Sequence, residues 1–265
     1  MAKRADTRYL RDVAYADPSG LTARASLYDF QRPYIDLQAE ALTLLAPLDR
    51  RVVGDVGCGD GRYVDALLAA GAQVVGIDLS LGMLAGVQAR PSLIAADAQS
   101  LPLTDASLDV VMMMHMLYHV PDPALAVAEA AKVLRPDGKL LVATNGRRHL
   151  AEMNELWLPL LDRTGLRASL EDSGLVNPRV SADDARRFVS VHFADPSVQW
   201  LRSSVIVTDP APVVRHAAST TAAQAVGDHR DELMRELSDA ITSRVRRDGQ
   251  FAITTEVAFI TATKA

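Results

Sequence analysis

The 265-residue chain is poor in cysteine, with one, and short of positive charge: 28 Lys and Arg stand against 33 Asp and Glu, a formal net charge of -5. One cysteine cannot close an intramolecular disulfide or build a cysteine-rich zinc site. It fits a reducing compartment, so a cytoplasmic protein is expected. The acid surplus argues against a general nucleic-acid binder, which carries a basic face. Long apolar runs are also missing. The start, Met1-Ala2-Lys3-Arg4-Ala5-Asp6, has no apolar signal core. The most apolar run, Val110 to Val120, is shorter than the ~20 residues of a membrane helix and carries His115 and His119. No internal repeat or low-complexity tract is visible. What remains, 49% apolar and 23% charged, is the composition of a globular chain.

Short apolar runs alternate with helical patterns. Residues 51–56, 73–78, 93–97, 110–114 and 139–144 read as five buried strands. Leu37, Ala41, Leu44, Leu45 and Leu48 share one helical face ahead of the first. Gly71 closes the next helix, Ser80 caps the one after, and Asp122-Pro123 is an N-cap followed by proline at the first helical position. Continuous apolar strands alternating with helices predict a parallel sheet covered on both faces. Residues 147–220 break the rhythm. They read as an inserted cap with irregular strands at 189–193 and 205–207. A long helix is expected from Ala222 to Arg247, then a final antiparallel strand from Phe251 to Thr263 beside the sheet's edge.

The chemistry concentrates in Asp55-Val56-Gly57-Cys58-Gly59-Asp60-Gly61-Arg62, between the first strand and the next helix. Glycines there let a ligand approach the backbone, and in an open α/β sheet this is the ligand-binding end. The dinucleotide fingerprint requires Gly at the sixth position, and Arg62 breaks it. Asp55 and Asp60 flank the glycines, which disfavours a pyrophosphate and favours a cationic ligand. Asp78, ending the second strand, is placed to accept hydrogen bonds from ribose hydroxyls, a device that NAD and S-adenosylmethionine sites share. Asp97-Ala98 adds a carboxylate at the end of the third.

Four motifs in order carry a resemblance. Asp55-Val56-Gly57-Cys58-Gly59-Asp60-Gly61, Asp78-Leu79-Ser80 with Met83, Asp97-Ala98 with Leu101-Pro102 and Ser107-Leu108-Asp109-Val110-Val111, and Leu134-Arg135-Pro136-Asp137-Gly138-Lys139-Leu140 resemble the core of a class I S-adenosylmethionine-dependent methyltransferase. The arrangement is most similar to the type 11, ubiquinone/menaquinone-like branch of small-molecule enzymes. The resemblance implies a Rossmann-like, doubly wound, seven-stranded and mostly parallel α/β sheet with an inserted cap and an N-terminal helical lid. It implies one domain: residues 1–36 as lid, 37–146 as cofactor core, 147–220 as cap and 221–265 as the helix and strand that complete the sheet.

The resemblance also implies S-adenosylmethionine as cofactor, held by Tyr28, Asp55, Gly57, Cys58, Gly59, Asp78, Leu79, Met83, Asp97, Ala98 and His115. Arg32 would close over it with Tyr28, and Arg24 would pair with its carboxylate. Tyr118, His119 and Trp157 would line the pocket of a small-molecule acceptor, in a monomer or homodimer that binds no nucleic acid and does not span a membrane. His119 reads equally as a general base or as pocket wall. The His115/His119 spacing resembles a zinc-binding helix, but Met116 replaces the general-base Glu, so no metal is expected. Cys58 reads as a small residue that fits its loop, and as a reporter of occupancy through protection from thiol reagents. A non-catalytic S-adenosylmethionine- or S-adenosylhomocysteine-binding protein and a nicotinamide-dependent oxidoreductase stay open beside the methyltransferase.

Overall fold

The structure, a computed structural model, describes residues 8, 11–12, 15–16, 18–88, 91–165, 167–168 and 180–265. Much of the expected lid before Pro18 and the middle of the expected cap, residues 169–179, lie outside the described residues.

Strands β1 (Gln31–Arg32), β2 (Val52–Val56), β3 (Gln73–Asp78), β4 (Ser92–Ala95), β5 (Leu108–Met114), β6 (Leu134–Asn145), β7 (Ala194–Val207) and β8 (Phe251–Thr263) form one sheet in the order β1-β7-β8-β6-β5-β2-β3-β4. β2, β3, β4, β5 and β6 run parallel, while β8 and β7 join antiparallel. The sequence pattern predicts these five parallel strands within a few residues. The expected seven-stranded sheet has eight strands among the described residues.

The helices are α1 (Ser19–Ala25), α2 (Leu37–Leu45), α3 (Val64–Ala69), α4 (Leu81–Leu84), α5 (Pro123–Val133), α6 (Ala151–Arg163), α7 (Ala182–Val189), α8 (Ala211–Ala218), α9 (Thr221–Ala225) and α10 (Arg230–Asp248). Successive side chains of a strand point to opposite faces, so the apolar run of β5 feeds two cores. Val111 and Met113 pack with Ala126, Val127 and Ala130 of α5 and Ala185 and Val189 of α7. Val110, Met112 and Met114 pack with Ala41 and Leu45 of α2 and Val64 and Leu67 of α3. A third cluster joins α6, α8 and α10 to Val205 and Val207 of β7 and Phe251 and Ile253 of β8.

The helix starts follow the caps. Ser80 Oγ accepts from the Met83 amide at 3.2 Å, and Asp122 Oδ1 accepts from the Leu125 amide at 3.1 Å ahead of Pro123. Gly71, at φ 84°, ends the α3 region as expected.

Four expectations change. Residues 189–193 are the end of α7 and its following turn rather than a strand. The apolar run at 205–207 is the tail of a fourteen-residue strand, β7, that pairs with β8 along its length. β8 is therefore interior to the sheet, between β6 and β7. The predicted 222–247 helix is divided into α9 and α10 by a turn at Gly227, whose φ of 57° is a left-handed conformation that glycine adopts freely.

Candidate active site

The carboxyl ends of β2, β3, β5 and β6 open on a cavity of about 640 Å³, within the ~300–1,000 Å³ typical of ligand clefts. Its floor is the turn after β2. Gly57, Gly59 and Gly61 have φ of 75°, 58° and 84°. A Cβ on Gly57 would stand 2.7 Å from the Cβ of Met116, so both the turn and the close approach require glycine there.

Two carboxylates face this floor in opposite states. Asp78 is tied in: Oδ2 accepts from the Gly59 amide and Oδ1 from the Ser80 amide, each at 2.9 Å. Burial raises its pKa, and those amide bonds hold the rise back. Asp55 is 1% exposed, and neither carboxylate oxygen has a hydrogen-bond partner. Burial, and then the charge of Asp78, push its pKa from 3.8 to about 7. Asp60 stands apart, with its Oδ1 3.6 Å from the Nε of Arg62. The residue that breaks the dinucleotide fingerprint thus offsets the second acid of the loop. Cys58 is 6% exposed, and burial, Asp55 and Asp78 push its thiol well above the ordinary range. A thiol so placed reacts slowly, which corrects the expectation that it reports occupancy.

Leu79, Met83, Asp97 and Ala98 continue the wall. Asp97 follows β4 instead of ending it, because the strand stops at Ala95. Its Oδ1 accepts from the Gln99 amide at 2.9 Å, an Asx turn that fixes this edge.

The opposite wall is a cluster of imidazoles and phenols. His115 follows β5 at φ 55°, with its amide donating to the Ala143 carbonyl at 3.0 Å. Residues 117–119 form a 3-10 turn, so His115 and His119 do not share an α-helix. His119 Nε2 lies 2.8 Å from the Tyr15 hydroxyl, with Tyr118 edge-on at 4.5 Å. Tyr28 Oη lies 3.0 Å from His149 Nε2, and the Glu256 amide donates to His149 Nδ1 at 3.1 Å. His216 Nδ1 donates to the Arg24 carbonyl at 3.1 Å. Burial lowers the pKa of His115 and His216 to about 4 and of His119 and His149 to about 3, so all four rings are neutral at pH 7. Burial also pushes the Tyr28 phenol up to about 12, which keeps it a donor. Arg24 donates through Nη1 to the Ser219 carbonyl at 2.7 Å. Its Nη2 is buried without a partner.

Two expected pocket residues lie elsewhere. Trp157 is packed in the α6–α8–α10 core, 4% exposed, and lines a separate cavity of about 150 Å³ instead of the main one. Arg32 is exposed and bonded to the carbonyls of Asp29 and Gln31. Three wall residues escape sequence reading: Tyr15, His149 and His216. They meet His119, Tyr28 and Arg24 across 104, 121 and 192 residues, and no local motif announces such pairings. Among the described residues no group of three His, Cys, Asp or Glu is placed to hold a metal, and no helix is long and apolar enough to cross a membrane.

Comparison with known proteins covers the same region. A family model described as a methyltransferase domain matches residues 54–142. The chain is 42% identical over 115 residues to the ubiquinone biosynthesis O-methyltransferase of Paracidovorax citrulli, an alignment covering 39% of this chain and 47% of that protein. It thus spans about half the length of this relative. It is 30% identical over 202 residues to a probable S-adenosylmethionine-dependent methyltransferase of Mycobacterium tuberculosis, covering 68% of this chain and 72% of that protein. In fold it resembles Haemonchus contortus phosphoethanolamine N-methyltransferase 2, with a TM-score of 0.61 at 17% identity, over 98% of this chain and 59% of that one. With four motifs on the expected turns and a relative matched over most of both chains, this chain belongs to the class I S-adenosylmethionine-dependent methyltransferases.

Proposed function

We propose that the chain transfers a methyl group from S-adenosylmethionine to a small molecule bound in the same cavity. One observation carries this reading. On the wall of a single cavity the Asp55 carboxylate and Arg24 Nη2, of opposite charge, are both buried without a hydrogen-bond partner. A buried charge is tolerated when it is paired. A ligand with an ammonium and a carboxylate on one carbon, as at the methionine end of this cofactor, satisfies both. The residues present therefore fit the group. A dinucleotide pyrophosphate over Asp55 and Asp78 would meet like charge.

When bound, the cofactor supplies a methyl on a sulfonium, with a neutral thioether as leaving group. The chain binds and aligns. Asp55 takes the ammonium and Arg24 the carboxylate. Asp78, its amide bonds already made, offers its remaining lone pairs to two ribose hydroxyls. The glycine turn lets the backbone come close, while Leu79, Met83, Asp97 and Ala98 enclose the base. His115 and Tyr28 flank the methionine part, with Tyr118 and His119 on the acceptor's side. The N-terminal segment, the turn after β6 and α8 exclude water from the reacting atoms, as lids do. Ser80 Oγ donates to the Tyr15 carbonyl at 2.7 Å, so one strap of that lid rests on the cofactor wall.

Calorimetry tests the reading. S-adenosylhomocysteine is expected to bind and NAD is not; the reverse result refutes it. Labelled methyl transfer to a small-molecule acceptor then separates an enzyme from a protein that only holds the cofactor.

A further inference from the structure

The histidines of the wall differ in which ring nitrogen is free. Neutral imidazole carries one donor and one acceptor nitrogen. His149 Nδ1 faces an amide N–H and must accept, so its Nε2 carries the proton and donates to Tyr28. His119 has its Nε2 engaged by Tyr15. His216 is the reverse of His149. Its Nδ1 faces the Arg24 carbonyl and must donate, which leaves Nε2 a bare lone pair. Among the described residues no protein group hydrogen-bonds that nitrogen. The ring lines both the main cavity and the adjoining one. His115 has no such anchor to fix its tautomer.

Burial and the Arg24 guanidinium resist a positive charge on His216, and two features work in its favour. The ring lies in the last turn of α8, and the negative end of a helix favours a cation. The Arg24 carbonyl accepts the second ring hydrogen in either protonation state. Tyr28 stands edge-on at 6.4 Å with its own hydrogen left to donate, because its oxygen accepts from His149.

We propose that His216 is the proton acceptor of the reaction, taking through Nε2 the hydrogen of an acceptor hydroxyl, so that this chain methylates oxygen. The proposal rests on the methyl-transfer reading above and names its substrate class. A neutral amine or a carboxylate attacks with a lone pair it already has. A hydroxyl gains nucleophilicity by losing its proton as the new bond forms. In the step, the O–H proton passes to Nε2 and an oxygen lone pair forms the bond to the methyl carbon. The pair of the broken carbon–sulfur bond stays on sulfur. The positive charge lost at sulfur appears on the imidazole, so the cavity's total charge is unchanged, and the proton leaves to water after the product.

The experiment compares wild type with His216→Gln and His216→Ala. Calorimetry with S-adenosylhomocysteine comes first. No binding by the wild type refutes the cofactor reading itself, while dissociation constants within about threefold across the three proteins show that the variants keep fold and cofactor site. Nitrogen-15 NMR of the imidazoles in that complex then needs no acceptor. His216 is expected as the Nδ1–H tautomer with an unprotonated Nε2; an Nε2–H tautomer, or an imidazolium at pH 7, overturns the assignment. Labelled transfer to catechol, 4-nitrocatechol and benzylamine follows. Catechol methylation is expected to fall ~10²–10⁴-fold in the glutamine variant, and to fall far less with 4-nitrocatechol, which ionises unaided at pH 8. Equal losses on the two catechols, an unchanged catechol rate, or a wild type that methylates benzylamine and neither catechol overturns it.

Discussion

Replacing Asp55 by asparagine is expected to stabilise the ligand-free protein at pH 8 and to weaken its grip on the cofactor. Asp55 is an uncompensated buried carboxylate whose pKa rises from 3.8 to about 7, first through burial and then through Asp78. The folded state therefore keeps the proton up to about pH 7, while the unfolded chain releases it near its ordinary value. Between those limits the folded state binds more protons, so stability falls as pH rises and stays low above the folded pKa. At ~1.4 kcal/mol for each tenfold change, the full loss is about 4 kcal/mol at pH 8. Asparagine removes the charge but leaves an amide short of partners, at a cost of ~1–3 kcal/mol. The net gain is then ~1–3 kcal/mol at pH 8 and becomes a loss of ~1–3 kcal/mol at pH 4, where the wild-type carboxyl is already neutral and only the cost of the amide remains.

Urea unfolding of both proteins at pH 4, 5, 6.5 and 8 measures this, and the difference between them cancels the other titrating groups. A difference that does not grow with pH, or a variant less stable at pH 8, refutes the reasoning. Saturation with S-adenosylhomocysteine should flatten the wild-type profile, because the ammonium pairs the carboxylate. The variant should bind ~10–100-fold more weakly, the worth of a charge-assisted hydrogen bond.

Three other outcomes follow from named contacts. Asp78→Ala removes the carboxylate that anchors the Gly59 and Ser80 amides and should weaken S-adenosylhomocysteine at least ~10-fold; an unchanged dissociation constant in calorimetry rejects the ribose role. Gly82→Ala would set a Cβ 1.8 Å from the Ala16 carbonyl oxygen, displacing the strap that carries Tyr15. Methyl transfer should slow several-fold with the thermal midpoint little changed, and unaltered kcat and KM would show that the strap does not rest there. Cys58 should react with Ellman's reagent at least ~100-fold more slowly in the native protein than in urea; a fast native reaction contradicts its burial.

The parallel half of the fold is legible because its signals are local. In β2, β3, β5 and β6 the strand is buried on both faces, and the chain writes this as an unbroken apolar run. The antiparallel half is harder to read. β7 contains Asp195, Pro196, Gln199, Arg202, Ser203 and Ser204, and much of it is only partly buried. Its place is set by backbone pairing with β8 and β1, which leaves no apolar run except at 205–207. The split between α9 and α10 turns on Gly227 alone. The helical periodicity around it continues on both sides, so the pattern conceals the break.

The site divides along the same line. The groups proposed for the cofactor fall mostly within residues 55–98, where each turn follows a strand and each acid stands at a strand's end, so spacing suffices to place them. The acceptor wall is assembled from the N-terminal segment, the turn after β5, the turn after β6 and α8. Its chemistry depends on which nitrogen of each ring is committed. His149 and His216 are the same residue in opposite tautomers, because one meets an amide N–H and the other a carbonyl. No local pattern encodes that difference, since both partners are backbone groups more than a hundred residues away. His119, singled out by its place after β5, has one ring nitrogen engaged with Tyr15, while the ring whose tautomer a backbone carbonyl fixes with Nε2 unprotonated lies in a segment that reads only as cap. The groups proposed for the cofactor follow from short-range sequence, and the wall proposed for the acceptor follows from packing.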